Sequence, residues 1–458
     1  MKTISLETTI GEILGSPVKA EVCKRAGGDF LNNPMLASAE TMTLRRVCEL
    51  IGADGAKKIA DMMEKANAVL PTLSDEGEGQ SKNAQEISSA VPLSSLQTEE
   101  ERNSHIRTNN CIRPGQVWYD TAGNRIQAHG ACVYFEKGTY YWIGENKDYT
   151  RKEGRIWTWG IKIYSSRDLY NWKDEGYLIE PELMDKDSIF YPIRRLDRPH
   201  ILYNERTKKY VLWLKYCDEA HFSVMTSDSL HGKYELIKEV YRPFDVHCGD
   251  FDLAKDERTG QGYLYWEVNH TDVWGVRLDE SYTQTDGEPV VIYKDKKPPF
   301  AREAVTHMFR KGKHYLFTSG MTGYVPNPSE VAVSDDWLEG YSVQGDPHVN
   351  DASRASFNSQ ISCIFQISGQ DRFVAVADRW VPEFVMTAEK YDVIVRAITS
   401  REDPSVRVTA EEKKSLLDMP MMGTANTSIA DYVWLPIKFE GDVAKIYWRD
   451  EWALEERK

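Results

Sequence analysis

No run in this chain approaches the roughly 18 apolar residues of a membrane-spanning helix. The opening MKTISLETTIGEIL holds no apolar core of signal-peptide length. A cytoplasmic protein with no membrane partner is the expectation. Basic charge is also short: 57 Lys and Arg face 71 Asp and Glu, a net −14. Nucleic-acid partners need clustered cations for their phosphates and are excluded on this ground. The seven cysteines are scattered and form no CxxC pair. They indicate neither a disulfide framework nor a thiolate metal site, and reduced thiols are expected. No Gly-rich phosphate loop, GxSxG or Ser-His-Asp order occurs. His200, His247 and His307 show no metal-ligand spacing with Cys or carboxylates. No metal and no cofactor are expected.

Aromatic residues, by contrast, are plentiful. They make up 11% of the 458 residues, with 13 Trp and 24 Tyr, which suits a β-rich fold with a sizeable core. Short hairpins turn over to Tyr140, Tyr210, Tyr263, Tyr315 and Phe373, which lie 70, 53, 52 and 58 residues apart. Counting back 11 to 13 residues from each gives a polar residue at the head of a strand-like run. These are His129 before GACVYF, Asp197 before RPHILYN, Asp250 before FDLAKD, Glu303 before AVTHMF and Gln360 before ISCIFQI. A second phase of the repeat runs through Asp168, Asp228, Asp279 and Asp335, each in a polar turn such as SSRDL or VSDDW. Their recurrence predicts Asx-type turn residues rather than chemistry. A strand repeat of this period implies an all-β five-bladed β-propeller. In such a fold the first strand of each blade lines the axis, so its opening residue points into a shared funnel.

Other segments flank the propeller. Ile10, Ile13, Leu14, Val18 and Val22 recur at helical spacing, as do Leu44, Val47, Leu50 and Ile51, then Ile59, Met62, Met63, Ala66 and Val69. They predict a small N-terminal α-helical bundle over 1–70, with Thr41 or Thr43 capping the second helix and Gly52 to Gly55 parting it from the third. Its expected role is assembly or docking, homo-oligomerisation included. Residues 71–105, rich in Ser, Glu, Gln and Gly, read as a flexible linker. The propeller domain takes 106–458. After Pro382 the periodicity lapses, and then YVWLPIKF and AKIYWRDEW supply strands over 431–450 able to complete a blade begun at the other terminus.

Three of the five funnel residues are carboxylates on consecutive blades. Hydrolysis of a glycosidic bond needs a carboxylic acid for the leaving oxygen and a second group to activate water or attack. A neighbouring negative charge keeps such an acid protonated. Glu303 has the longest reach and is the natural proton donor; Asp250, on the next blade, is the natural modulator of its pKa. Among the tryptophans that could stack on a sugar (142, 157, 159, 266, 274 and 380), Trp380 in DRW beside the closing blade is the favoured one.

The runs WYDTAGNRIQAHGA, YYWIGENK, DRPHILYNERTKKYVLWL, REAV, GYVPNP and ADRWVP resemble glycoside hydrolase family 43, and within it the exo-β-1,3-galactanase branch. The resemblance spans nearly all of 115–382 plus the YVWLPIKF strand. It implies a five-bladed propeller and an inverting hydrolase that acts on an oligosaccharide. Carried over, it makes Glu303 the general acid and Asp250 its modulator, and gives Gln360 the placing of the water. Asp197 and Glu145 become sugar-binding carboxylates, joined by Arg198. The wider family takes its base from an aspartate opening the first blade; this chain has QAHGA there, which offers His129 as a titratable partner of Gln360 in holding the water or as a further substrate contact. DRPH and CGD stand where the branch usually shows ERPK and SRD. An α-L-arabinofuranosidase, galactofuranosidase or β-xylosidase of the same fold, and a non-catalytic sugar-binding propeller, are the rival readings.

Overall fold

The computed structural model describes residues 4–14, 23, 42–69, 86–87, 89–152, 154–217, 219–400, 403, 405–417, 419–420 and 425–454. Two compact units divide the chain. One comprises residues 1–90, 152–155 and 396–425; the other comprises 91–151, 156–395 and 426–458.

In the first unit, helix α1 (Ile10–Leu14) and helix α2 (Leu44–Val69) are joined by a bridge between Thr9 and Thr43. They bury Ile4, Ile10, Ile13, Leu44, Val47, Ile59, Met62 and Ala66 together. Thr43 caps α2, its Oγ1 accepting from the Arg46 N–H at 3.3 Å. The helix then runs 26 residues straight through Gly52 and Gly55, so the expected break does not occur. Each helical glycine costs only about 1 kcal/mol relative to Ala. Val47 on one side and Ile59, Met62 and Ala66 on the other join a single core, which outweighs that loss. Thr41, Val18, Val22 and residues 70–85 lie outside the described residues.

The segment read as a linker is folded in its second half. Thr98 and Glu101 form a reciprocal cap at the start of α3 (Glu99–His105), with bonds of 3.1 and 2.8 Å. Ser94 is fastened to the Asp148 carboxylate through its N–H at 2.9 Å and its hydroxyl at 2.6 Å. Polar composition hid the Ser94 anchor because Asp148 lies 54 residues away in sequence.

The second unit holds five antiparallel blades. Blade one is β1 (His129–Glu136), β2 (Thr139–Glu145), β3 (Ile161–Ser166) and β4 (Lys173–Ile179). Blade two is β5 (Leu196–Asn204), β6 (Lys209–Tyr216), β7 (His221–Ser227) and β8 (Glu235–Tyr241). Blade three is β9 (Cys248–Lys255), β10 (Gly262–Val268), β11 (Asp272–Leu278) and β12 (Thr285–Tyr293). Blade four is β13 (Arg302–Arg310), β14 (Lys313–Gly320), β15 (Ser329–Ser334) and β16 (Ser342–Gly345). β17 (His348–Val349) then precedes blade five, which is β18 (Gln360–Gln366), β19 (Phe373–Arg379), β20 (Asp431–Glu440) and β21 (Val443–Tyr447), with β17 parallel to β21 at its edge.

Neighbouring first strands contact one another in the cycle β1, β5, β9, β13, β18 and back to β1, which closes the ring. Second strands are covered on both faces and so read as unbroken apolar runs; every residue of β10 is buried. Outermost strands such as β8 are mostly exposed. One hydrophobic cluster fills each gap between blades. Between blades five and one, for example, Trp142, Trp172, Tyr432 and Trp434 pack together, each buried aromatic ring adding about 1.5–3 kcal/mol.

Two expectations change here. The tail strands β20 and β21 extend β19, so blade five is built from segments parted by α4 (Ala388–Thr399) and α5 (Ala410–Leu417). Among the described residues no strand from the N-terminal side enters it. The repeated aspartates also divide. Asp168 accepts from the Tyr170 and Asn171 N–H groups, both at 2.8 Å, and Asp279 from Thr283 at 3.0 Å. Asp228 and Asp335 instead pair with Lys209 and Lys313. In those turns a neighbour supplies the acceptor, Ser227 in blade two and Asp336 in blade four.

Candidate active site

Each first strand carries one extra residue near its start, a β-bulge against the second strand. A bulge bends the strand and re-aims the side chain beside it. In blades one, two and four the residue after the opener is left-handed: Gly130 at φ 54°, Arg198 at 48° and Ala304 at 51°. That conformation frees its N–H from the ladder, and each freed N–H finds a carboxylate on an adjacent blade. Gly130 donates to Asp378 at 3.0 Å, Arg198 to Glu145 at 2.9 Å and Ala304 to Asp250 at 3.0 Å. Gly130 is required for a second reason, since a Cβ there would stand 2.1 Å from Glu145 Oε1.

The electrostatics separate the carboxyls. Burial pushes Asp250 up, but Arg198 Nε at 3.0 Å and Lys215 Nζ at 2.6 Å, with the Ala304 N–H, outweigh it and hold the group well below the usual carboxylate range. Burial, and then the Asp250 charge, push Glu303 up to about 8, against the pull of Lys215 and Arg198; Glu267 adds to the rise. Glu303 is therefore protonated at neutral pH beside an ionised Asp250. Glu145 is raised to about 7, chiefly by burial and partly by Asp197, although Lys147 Nζ lies 2.6 Å away. Asp197 accepts from Trp157 Nε1 at 2.6 Å and stands between Lys147 and Lys215 at 3.9 and 3.8 Å.

Gln360 is pinned at both ends. Its Nε2 donates to Ser319 Oγ at 2.9 Å and Glu303 Oε1 at 3.2 Å, and its Oε1 accepts from Trp380 Nε1 at 3.2 Å. Tyr324 lies between Trp157 and Trp380, with ring centroids 5.9 and 5.2 Å away. Ser319, Tyr324, Asn327, Gln360, Asp378 and Trp380 line a common pocket.

A protonated acid, an ionised neighbour and a held amide at the mouth of a propeller are the equipment of a glycosidase. Residues 129–381 match the family model for glycosyl hydrolases family 43. The chain belongs to that family. Among solved structures it is similar to a family 43 β-1,3-galactosidase at 27% identity and TM-score 0.61, over 76% of this chain and 64% of the other. It is similar in fold to the exo-β-1,3-galactanase of Phanerochaete chrysosporium, at 22% identity and TM-score 0.59 over 76% and 69% of the two chains. The Clostridium thermocellum exo-β-1,3-galactanase compares at 24%, 0.57, and 75% and 66%. Thus the chain spans about two thirds of each of these relatives. No curated protein sequence matches it.

In this family 43 glycosidase Glu303, Asp250, Gln360, Asp197, Glu145, Arg198 and Trp380 form one connected network. Arg198 spends its Nε on Asp250 and keeps a buried Nη1 without a partner among the described residues. His129 corrects the expectation of a substrate contact. It has no exposed surface, its Nδ1 meets Asp378 at 2.9 Å, its Nε2 faces Gln127 Oε1 and the Tyr432 hydroxyl at 3.2 Å each, and its ring stacks on Tyr432. Burial lowers its pKa, so it is a neutral strut beneath Asp378.

Lys147, Lys215, Tyr324 and Asp378 were not singled out by sequence as members of this network, and Trp157 was named only among six tryptophans that could stack on a sugar. Four positions share a rule: the end of a second strand lies across from the opener. Glu145 pairs with His129, Lys215 with Asp197, Ser319 with Glu303 and Asp378 with Gln360. A polar residue closing an apolar second strand, as in VLWLKY or FVAVADR, is the signal that finds them.

Proposed function

We propose that this enzyme is an inverting, exo-acting hydrolase that releases terminal galactose from β-1,3-linked galacto-oligosaccharides. The observation that carries the reading is a Glu303 carboxyl raised to about 8 beside an Asp250 held ionised by Arg198 and Lys215. Glu303 gives its proton to the departing oxygen, a step such an acid accelerates about 10²–10⁴-fold. Gln360 keeps a carbonyl lone pair beyond the one taken by Trp380 and uses it to hold a water on the opposite face of the sugar. Attack by that water, its proton passing to solvent, inverts the configuration. Glu145 and Asp197 take the hydroxyls of the terminal sugar, and Trp157, Tyr324 and Trp380 offer it aromatic faces. The choice of galactose is supported by the β-1,3-galactosidase at 27% identity.

The test is a panel of aryl glycosides and β-1,3-galacto-oligosaccharides, with wild type and Glu303→Gln, the first-formed anomer being read by NMR. Turnover of galactosides to the α-anomer, falling at least about a hundredfold in the variant, is expected. Turnover of arabinofuranosides or xylosides alone would overturn the galactose assignment. Binding without turnover in both proteins would leave a sugar-binding propeller.

A further inference from the structure

One polar cluster on the same blade as Asp250 enters this mechanism only through the rise that Glu267 adds to Glu303. His247 precedes β9, Glu267 sits near the end of β10, and His270 follows in the turn to β11. Each offers one ligand atom, and these atoms all lie within 4.8 Å of one another. We propose that His247, Glu267 and His270 bind a divalent transition-metal ion of the zinc class.

The donors suit it. Two imidazoles and one carboxylate form a three-ligand set that leaves room for water, as open zinc sites do. With bonds of about 2.0–2.1 Å, ligand atoms around one tetrahedral ion lie about 3.4 Å apart. His270 Nδ1 and Glu267 Oε2 are already 3.3 Å apart. The His247 and His270 rings lie 4.4 Å apart, and small rotations bring the third atom in. His247 Nδ1 is buried and has no hydrogen-bond partner among the described residues, which a buried imidazole nitrogen seldom tolerates.

Glu267 is 2% exposed and has no Lys or Arg within ion-pairing distance among the described residues. Its carboxylate is instead fixed by His270, through that residue's backbone N–H and its ring. Gly249 gives it room, since a Cβ there would come within 1.6 Å of Glu267 Oε2. The ligand-bearing turn is hydrogen-bonded: Thr271 N–H closes it onto the Val268 carbonyl at 3.0 Å, and the Asn269 side chain holds the His247 N–H at 3.3 Å. Lys215, the nearby cation, is committed to Asp250 at 2.6 Å. Sequence spacing hid the set because His247 lies twenty residues before Glu267 and only the hairpin brings them together.

Full-length protein treated with a chelator and titrated with Co²⁺ should develop visible d–d absorption that saturates at one equivalent and is displaced by Zn²⁺. His270→Ala, at a half-exposed side chain, and Glu267→Gln should each weaken binding by about tenfold to a hundredfold and lose that absorption while keeping the wild-type circular dichroism. Should Glu267→Gln fail to fold, His270→Ala decides alone. Wild-type affinity in the folded variants, or no stoichiometric binding of either ion to the wild type, would overturn the site.

Discussion

Replacing Asp250 with Asn tests the electrical relation between the two central carboxyls. The amide keeps the shape and still accepts the Ala304 N–H, but the negative charge beside Glu303 disappears. Lys215 and Arg198 then act on Glu303 against only its burial and Glu267, and both pull its pKa down. A like charge at this range is worth about 1–3 pKa units, so the Glu303 value falls from about 8 to about 5–7. In the proposed mechanism Glu303 is the acid, so its active form is the protonated one and activity is lost as pH rises through this value. The alkaline limb of the rate profile therefore moves to lower pH. At pH 7 a pKa of ~6 leaves about a tenth of the enzyme protonated, a roughly tenfold loss that is largely recovered near pH 5. Arg198 and Lys215 lose their buried partner at the same time, which lowers stability by about 3 kcal/mol. Initial rates on an aryl galactoside from pH 4 to 10, beside a denaturant melt, read both effects. A drop in rate with an unmoved alkaline limb would refute the assignment of Asp250 as the group that keeps the proton on Glu303.

Two further substitutions probe the surroundings. Trp157→Phe keeps the stack on Tyr324 but removes the 2.6 Å bond to Asp197, worth about 1.5–3 kcal/mol for a charged acceptor. KM should rise about tenfold or more with kcat within about twofold, and steady-state kinetics showing the reverse split would place Asp197 in the chemical step. Gly130→Ala puts a Cβ at φ 54° against Glu145 and should cost about 1–3 kcal/mol in a thermal or denaturant melt.

The ring of first strands was legible because a propeller repeats in register, and Asp197, Asp250, Glu303 and Gln360 each head a run of similar length. Their partners at the second-strand ends were not, because hairpin loops differ in length. Glu145 follows its opener by sixteen residues and Lys215 by eighteen, so no fixed offset reveals them. His129 stood at the right register and was misread, since nothing local shows that Asp378, Gln127 and Tyr432 enclose it. The unbroken helix through Gly52 and Gly55 shows the same limit: local propensity marked a break, and a shared core of distant residues removed it.

The bulge N–H groups that meet carboxylates carry a consequence for how this protein can change. Gly130 to Asp378 ties blade one to blade five, Arg198 to Glu145 ties two to one, and Ala304 to Asp250 ties four to three. The two remaining seams, two to three and four to five, are crossed by Arg198 on Asp250 and by Gln360 on Glu303. Every joint of the ring thus passes through a group in the candidate site's polar network, and the carboxylates act as keystones. Altering one to admit a new sugar would loosen the arch that holds the rest. New specificity is cheaper to gain at loop residues such as Tyr324, which meets Trp157 and Trp380 through ring contacts and anchors no carboxylate.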